Sequence, residues 1–189
     1  MKTRLAVTVW SALLVLAVTS ACKSADSGSS AQSSASPGQP SSTTTCGQGL
    51  VPVDLSLPVP PDIKLNVYNG TDQPDLARHV ANDFKARQFI VDPEKAGNDP
   101  RGKRVDGVGM LRYGPKAVGA AWVVRSYLLN SATLDFDITR TDDVVDVVLG
   151  SGFKQLGTLT EVDQALTQAG PVKLPPGTCD APTGSGHGP

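Results

Sequence analysis

The run Ile63-Lys-Leu-Asn-Val-Tyr-Asn-Gly70, followed by Leu76-Ala-Arg-His-Val-Ala-Asn-Asp-Phe84 and then Phe89-Ile-Val91, decides the fold class. Ile63, Leu65 and Val67 alternate with other residues at the two-residue period of a strand with one buried face. Asn69-Gly70 ends that strand. Leu76, Ala77, Val80, Ala81, Phe84 and Gln88 then recur at the 3.6-residue spacing of one helix face. Phe89 to Val91 is a short second strand, closed by Asp92-Pro93, so the unit reads strand, helix, strand.

Working outward, the polar stretch Glu94 to Asp106 reads as a loop, and Val108 to Tyr113 as a third strand. Gly114-Pro115 turns into a second helix that directs Ala117, Ala120, Ala121, Val124, Tyr127 and Leu128 toward a core. Leu134, Phe136 and Ile138 alternate with Asp135, Asp137 and Thr139, a strand with one wet face. Val144 to Leu149 is more apolar, a more buried strand, and Glu161 to Gln168 forms a short closing helix. The order β-α-β-β-α-β-β predicts an α+β fold of the ferredoxin-like split βαβ type with one extra strand. Two helices would cover one face of a mainly antiparallel sheet. Leu50 to Pro61, with Pro52, Pro58, Pro60 and Pro61, is an extended arm entering this region, and Val172 to Cys179 the arm leaving it.

The first 21 residues form a signal peptide. Lys2 and Arg4 precede the apolar run Leu5 to Val18, which is shorter than the roughly 20 residues a membrane span needs. It ends in Val18-Thr-Ser-Ala-Cys22, which resembles a bacterial lipobox, so Cys22 is the expected lipidation site, carrying acyl chains such as palmitate. More than one chain suffices for stable membrane anchoring. Residues 22–45, almost entirely Ser, Ala, Thr, Gly, Pro and Gln after the first few, have too little apolar content to fold. As a flexible tether they would span roughly 25–30 Å. Residues 180–189 form a second disordered flank. With Cys22 consumed by lipid, the remaining two of the three cysteines, Cys46 and Cys179, bracket the folded region 46–179. The oxidising cell envelope favours a disulfide between them.

Composition narrows the function. The formal net charge is −1, from 17 basic and 18 acidic residues, which excludes a nucleic-acid binder driven by overall basicity. Two histidines, His79 and His187, leave no His-rich metal site and no His-based triad, and no cofactor is expected. Asp135, Asp137, Asp142, Asp143 and Asp146 lack the spacing and glycine turn of a calcium loop, so no metal is expected either. Gly150-Ser-Gly152 is not a nucleophile elbow.

The segments Lys64-Leu-Asn-Val-Tyr-Asn-Gly-Thr71, Leu76-Ala77 with Val80, Phe84 and Phe89, Ala117-Val-Gly-Ala-Ala121 and Val145-Asp-Val-Val-Leu-Gly-Ser-Gly-Phe153 resemble the LytR C-terminal domain family of actinobacterial and other Gram-positive envelope proteins, over about residues 62–153. Gly152 stands where that family tends to have Asp, so contacts of that Asp are not carried over. Such domains often follow a LytR–CpsA–Psr catalytic domain that attaches glycopolymers to peptidoglycan, and no such domain is read before residue 62. The resemblance therefore implies a non-catalytic, lipid-anchored accessory module of wall and glycopolymer assembly or envelope integrity, on the outer face of the cell membrane. Its partners would be peptidoglycan, a wall glycopolymer or a LytR–CpsA–Psr type enzyme. The competing expectation is a secreted hydrolase or transferase acting on wall glycans through an unrecognised site.

Two surface candidates stand out. On the second helix, Val118, Trp122 and Leu129 fall outside the core face, with Arg125 beside them, and this second apolar stripe either meets a partner or lies beneath the arm Leu50 to Pro61. Arg101-Gly-Lys103-Arg104 is a basic loop that could meet an anionic polymer or headgroup, or simply be solvated. Asn69-Gly70-Thr71, next to Asp72 and Asp75, reads as turn and cap chemistry.

Overall fold

The computed structural model describes residues 46–181. The signal peptide, Cys22, the whole tether to residue 45 and the end of the tail from residue 182 lie outside the described residues.

Among the described residues, eight strands and three α-helices follow in the order β1 (Val51–Val53), β2 (Lys64–Asn69), α1 (Leu76–Ala86), β3 (Ile90–Val91), β4 (Gly97–Asn98), β5 (Gly109–Tyr113), α2 (Val118–Tyr127), β6 (Thr133–Phe136), β7 (Val144–Leu149), α3 (Leu159–Ala169) and β8 (Thr178–Asp180). The mixed α+β class read from the sequence holds. The strand order does not. The main sheet runs β3-β2-β7-β5-β6, with β4 added beside β2. Four of its pairings, β2 with β3, β4 and β7 and β5 with β6, are parallel, and β5 with β7 is antiparallel. The sheet is therefore mixed rather than mainly antiparallel. Nor is either βαβ unit split: β3 returns directly beside β2, and β6 directly beside β5.

The reason lies in β7. Val145, Val147 and Leu149 are buried in the main core, while Val148 is buried on the opposite face against Tyr68 and Val105. A strand apolar on both faces is stable only where both are covered, which is the centre of a sheet. It takes that place between the two units. The second strands of the units go to the edges. β3 is two residues long and is followed, after Asp92, by Pro93, which has no N–H to donate, and β6 keeps Leu134 and Asp135 partly in water.

Both α1 and α2 share one hydrophobic cluster with Leu65, Val67, Leu111, Val145 and Val147 of the sheet. Phe84 of α1, Phe89 ahead of β3 and Tyr127 of α2 join the layer, with Phe84–Phe89 and Phe89–Tyr127 ring centroids 5.1 and 5.0 Å apart in edge-to-face geometry. A third layer is added by α3, which packs on α2 and starts at a capping box of Thr158 and Glu161. The arm at the N-terminal end crosses α2 so closely that a Cβ at Gly119 would lie 1.9 Å from the Ser56 carbonyl oxygen, so only glycine fits there.

The two arms meet as a separate parallel pair, β1 with β8, with Pro52 opposite Cys179. Cys46 and Cys179 are joined by a disulfide, with Cα atoms 5.8 Å apart across 133 residues of chain. The pairing expected from the cysteine count is present. It closes a loop around the whole domain, so its main effect is to restrict the unfolded chain. Replacing both cysteines by serine should lower the unfolding free energy by about 2–4 kcal/mol, read as a lower denaturation midpoint with unchanged far-UV circular dichroism. An unchanged midpoint would show that the arms are held by packing alone.

Candidate functional site

The face of the sheet turned away from α1 and α2 is polar. Residues that alternate with the core positions reach it: Lys64, Asn66 and Tyr68 from β2, Asp146 and Val148 from β7, Met110 and Arg112 from β5, and Thr133 and Asp135 from β6. The loop between β3 and β5 folds back over part of this face. Val105 packs on Tyr68 and Val148, and the loop is tied down by Val105 N–H donating to the Gly70 carbonyl and Ser151 N–H to the Val105 carbonyl. Close approach is required here: a Cβ at Gly152 would come within 2.9 Å of the Gly107 backbone. The Gly150-Ser151-Gly152 segment is thus a seat for the loop.

Asp99 is the charged anchor of that loop. Its carboxylate accepts from both Nη atoms of Arg112 at 2.7 and 2.8 Å, and both side chains are buried. This bidentate hydrogen bonding holds the Asp99 carboxyl below the usual carboxylate range despite burial, and raises the guanidinium further, so the pair stays ionised. The Nε of Arg112 is buried without a hydrogen-bond partner, and the nearest carboxylate oxygen, Asp135 Oδ2, is 3.8 Å away. Next to it, Arg140 donates to Asp146 at 2.8 Å and to Asp142 at 2.9 Å, and Asp146 accepts from Asn66 Nδ2 at 2.7 Å. Burial, then the charge of Asp146, raises the Tyr68 hydroxyl, which stays protonated at neutral pH.

Two clefts open beside β6 and share Arg101, Arg112 and Asp135. One, of about 310 Å³, is completed by Tyr113, Phe136, Ile138 and Arg140 among others. The other, of about 290 Å³, adds Lys103, Arg104, Met110 and Thr133. A third cleft, of about 460 Å³, lies over the turn Asn69-Gly70-Thr71. That turn is held by Asn69 Oδ1, which accepts from the Thr71 amide and hydroxyl, while Asn69 Nδ2 donates to the Gln73 carbonyl.

Residues 62–153, which hold every residue of this open face, match the model of the family described as LytR cell envelope-related transcriptional attenuator. The match covers just under half of the chain. The chain is 29% identical over 147 residues to the cell envelope integrity protein Cei of Mycobacterium tuberculosis (strain ATCC 25618 / H37Rv), a match covering 74% of this chain and 66% of that protein's length. It is also similar to the crystal structure of the soluble domain, residues 71–217, of a conserved hypothetical secreted protein from Mycobacterium marinum. That likeness has a TM-score of 0.47 and 26% identity, over 70% of this chain and 82% of the other.

The structure separates the residues singled out from the sequence. Val118 and Trp122 are buried, 3% and 5% exposed. The outer stripe of α2 is therefore not a free surface, because α3 and the arm cover that side. Trp122 Nε1 donates to the Gly170 carbonyl at 3.2 Å, just past α3. Arg125 lies over the Trp122 ring at 5.6 Å and donates to the Asn130 carbonyl at 2.9 Å. Leu129 is partly exposed in a left-handed turn that touches Gly157. Arg101, Lys103 and Arg104 are exposed on the loop over the open face. Arg101 ion-pairs with Asp135 and Arg104 with Asp72, so the basic loop sits among acids.

Sequence reasoning missed Asp99 and Arg112. Read as a solvated loop, Glu94 to Asp106 offered one clue, a lone Val105 among polar residues. Arg112 was read only as part of a strand, and its alternation with Leu111 and Tyr113 was the signal that it leaves the core face.

Proposed function

We propose that this chain is a lipid-anchored, non-catalytic protein of the cell envelope, held on the outer face of the cell membrane through Cys22. Its LytR_C domain would serve as an accessory interaction module in wall and glycopolymer assembly or envelope integrity. The observation that carries this reading is the LytR_C match over residues 62–153, supported by similarity to a protein named for cell envelope integrity. The lipobox-like run ending at Cys22 and the Cys46–Cys179 disulfide fit an exported, oxidising setting. Among the described residues, no helix is long and apolar enough to cross a membrane. Two carboxylates at the sheet are already committed to ion pairs. Asp99 and Asp143 are held below the carboxylate range by hydrogen bonds from Arg112 and Lys64, the reverse of what a general acid near neutral pH requires.

Peptidoglycan, a wall glycopolymer or a LytR–CpsA–Psr type enzyme are the partners this reading names. Two measurements test it. Cys22→Ala should abolish incorporation of labelled fatty acid and release the domain from membranes, and a variant still labelled and membrane-bound would end the anchoring claim. The full chain should sediment with purified wall sacculi. Recovery entirely in the supernatant, together with hydrolysis of a wall glycan, would favour the enzyme instead.

A further inference from the structure

We propose that the end of the domain at which the tether enters is a seat for the lipid surface itself, with Leu50, Ile138 and Leu174 dipping into the headgroup boundary. This rests on the Cys22 anchor of the reading above and adds the orientation in which the anchored domain is held. Three observations converge. The first is where the chain outside the structure ends. The tether reaches the domain at Cys46, whose disulfide partner Cys179 lies in β8 beside β1. Twenty-three residues separate Cys22 from Cys46. Even a fully extended chain of that length keeps this end within about 80 Å of the anchor. Such confinement makes the contact intramolecular, so a patch too weak to hold a free protein suffices.

The second observation is where the exposed apolar side chains lie. β2, β3 and β7 begin at the end of the main sheet where β5 and β6 finish, because β5 and β6 run opposite to the other three. Among the described residues, nine large apolar side chains are exposed. Six lie at this end, each 40–57% exposed. Ile90 starts β3, and Leu57 and Val59 lie on the arm just before the single turn Pro60–Asp62 that leads into β2. Ile138 follows β6 and packs on Gly177, where a Cβ would lie 2.9 Å from its Cδ1. Leu50 precedes β1, whose Val51 N–H donates to the Gly177 carbonyl, and Leu174 lies in the segment that runs from α3 to Gly177. Apolar residues exposed singly are ordinary, whereas a group of them at one end marks a contact.

The third is charge. The exposed ions of this end are of both signs, Lys116 and Lys173 against Asp62 and Asp180, and Lys64 is paired with Asp143. An anionic polymer finds no net attraction there. The apolar phase that the chain itself fixes beside this end is the bilayer, into whose boundary interfacial side chains sink about 5–10 Å. The seat also gives the domain a direction. β2 finishes at the opposite end of the sheet, in the turn Asn69-Gly70-Thr71, so the cleft of about 460 Å³ over that turn faces away from the membrane.

The test uses the full chain as processed in the cell envelope, reconstituted on phosphatidylcholine vesicles with or without bromine atoms on the acyl chains, which quench a tryptophan they approach. Ile138→Trp places a probe in the seat. Leu159→Trp places one at the far end, where Gly157 N–H donates to the Tyr127 carbonyl at the close of α2 and α3 begins. With a seat about 5–10 Å deep, the Ile138→Trp protein should lose about half of its added emission in brominated vesicles, and the Leu159→Trp protein none. Leu50→Glu and Leu174→Glu together, both at exposed positions, should restore the emission of Ile138→Trp while the protein still floats with vesicles and keeps its thermal midpoint. Equal quenching of both probes, no quenching of either, or quenching that survives the two glutamates overturns the seat. So does quenching that disappears at high salt, since that attraction would be electrostatic. A blue shift of Ile138→Trp that grows with protein density, without quenching, would assign this end to a second copy and likewise overturns it. Flotation separates the two proposals. Vesicle-bound protein without quenching removes the seat and keeps the anchor, whereas a wild-type chain that does not float removes both.

Discussion

Arg112→Ala should destabilise the domain by about 3–5 kcal/mol, because it strands a buried, ionised Asp99. Domains of this size are stable by only about 5–15 kcal/mol, so a large share of the margin would go. Asp99→Ala should have a comparable effect by stranding the guanidinium. The double variant Asp99→Ala/Arg112→Ala should be less destabilised than the sum of the singles, since the two losses share one cause. Equilibrium urea unfolding of the four proteins measures this coupling, and strict additivity would show that the pair is not the loop's anchor. The same pair sets an acid limit. Asp99 has its folded-state pKa below its unfolded one, so its stabilisation is complete above the ordinary carboxylate range, about pH 4, and is lost as pH falls through the depressed value. Asp99→Asn should flatten that part of the stability profile.

The physics of this pair explains which parts of the fold were legible. Period and punctuation marked where α1, α2, β2, β3, β5, β6 and β7 lie, because those signals are local: Leu65 and Val67 alternate, Leu76 to Phe84 recur every turn, and Asn69-Gly70 and Gly114-Pro115 mark the turns, whereas the two-residue β4 fell inside the stretch read as a loop. Strand order is not local. Each βαβ unit placed its second strand beside the first, and the centre went to the strand with buried residues on both faces, Val147 on one and Val148 on the other. The alternation of β7 showed how apolar it was, but which strands flank it depends on what covers the second face. That cover is the loop from β3 to β5, whose anchoring contact joins Asp99 to Arg112 across 13 residues and has no periodic signature. The site was hidden for the same reason. Arg101, Lys103 and Arg104 announce themselves as a charge run, whereas Arg112 becomes unusual only once Asp99 has taken its Nη atoms and left Nε without an acceptor.

Trp122→Ala should also cost about 3–5 kcal/mol of stability, the range for truncating a buried tryptophan. Helical geometry alone put Trp122 on the outside of α2, and it is outside the face that meets the sheet. A helix in the middle of three layers has no free side, however. Val118, Ala121, Val123 and Val124 are buried with Trp122, as expected of a helix apolar all round. The loss has two parts that a second variant separates. Trp122→Phe keeps much of the apolar volume but removes the Nε1 donor, leaving the Gly170 carbonyl to find water, and should cost clearly less than alanine. If the stripe has only this structural role, sedimentation with sacculi, corrected for the folded fraction, should be the same for wild type and both variants. A Trp122→Ala protein as stable as wild type but no longer wall-bound would instead mean that α3 swings away in solution and that the tryptophan face is the binding surface. The two-layer cover of α2 by α3 and the arm, locked by the Cys46–Cys179 disulfide, argues for the first outcome. Reducing the disulfide in the Trp122→Phe background should then lower the midpoint further, because the arms and α3 are held through the same layer.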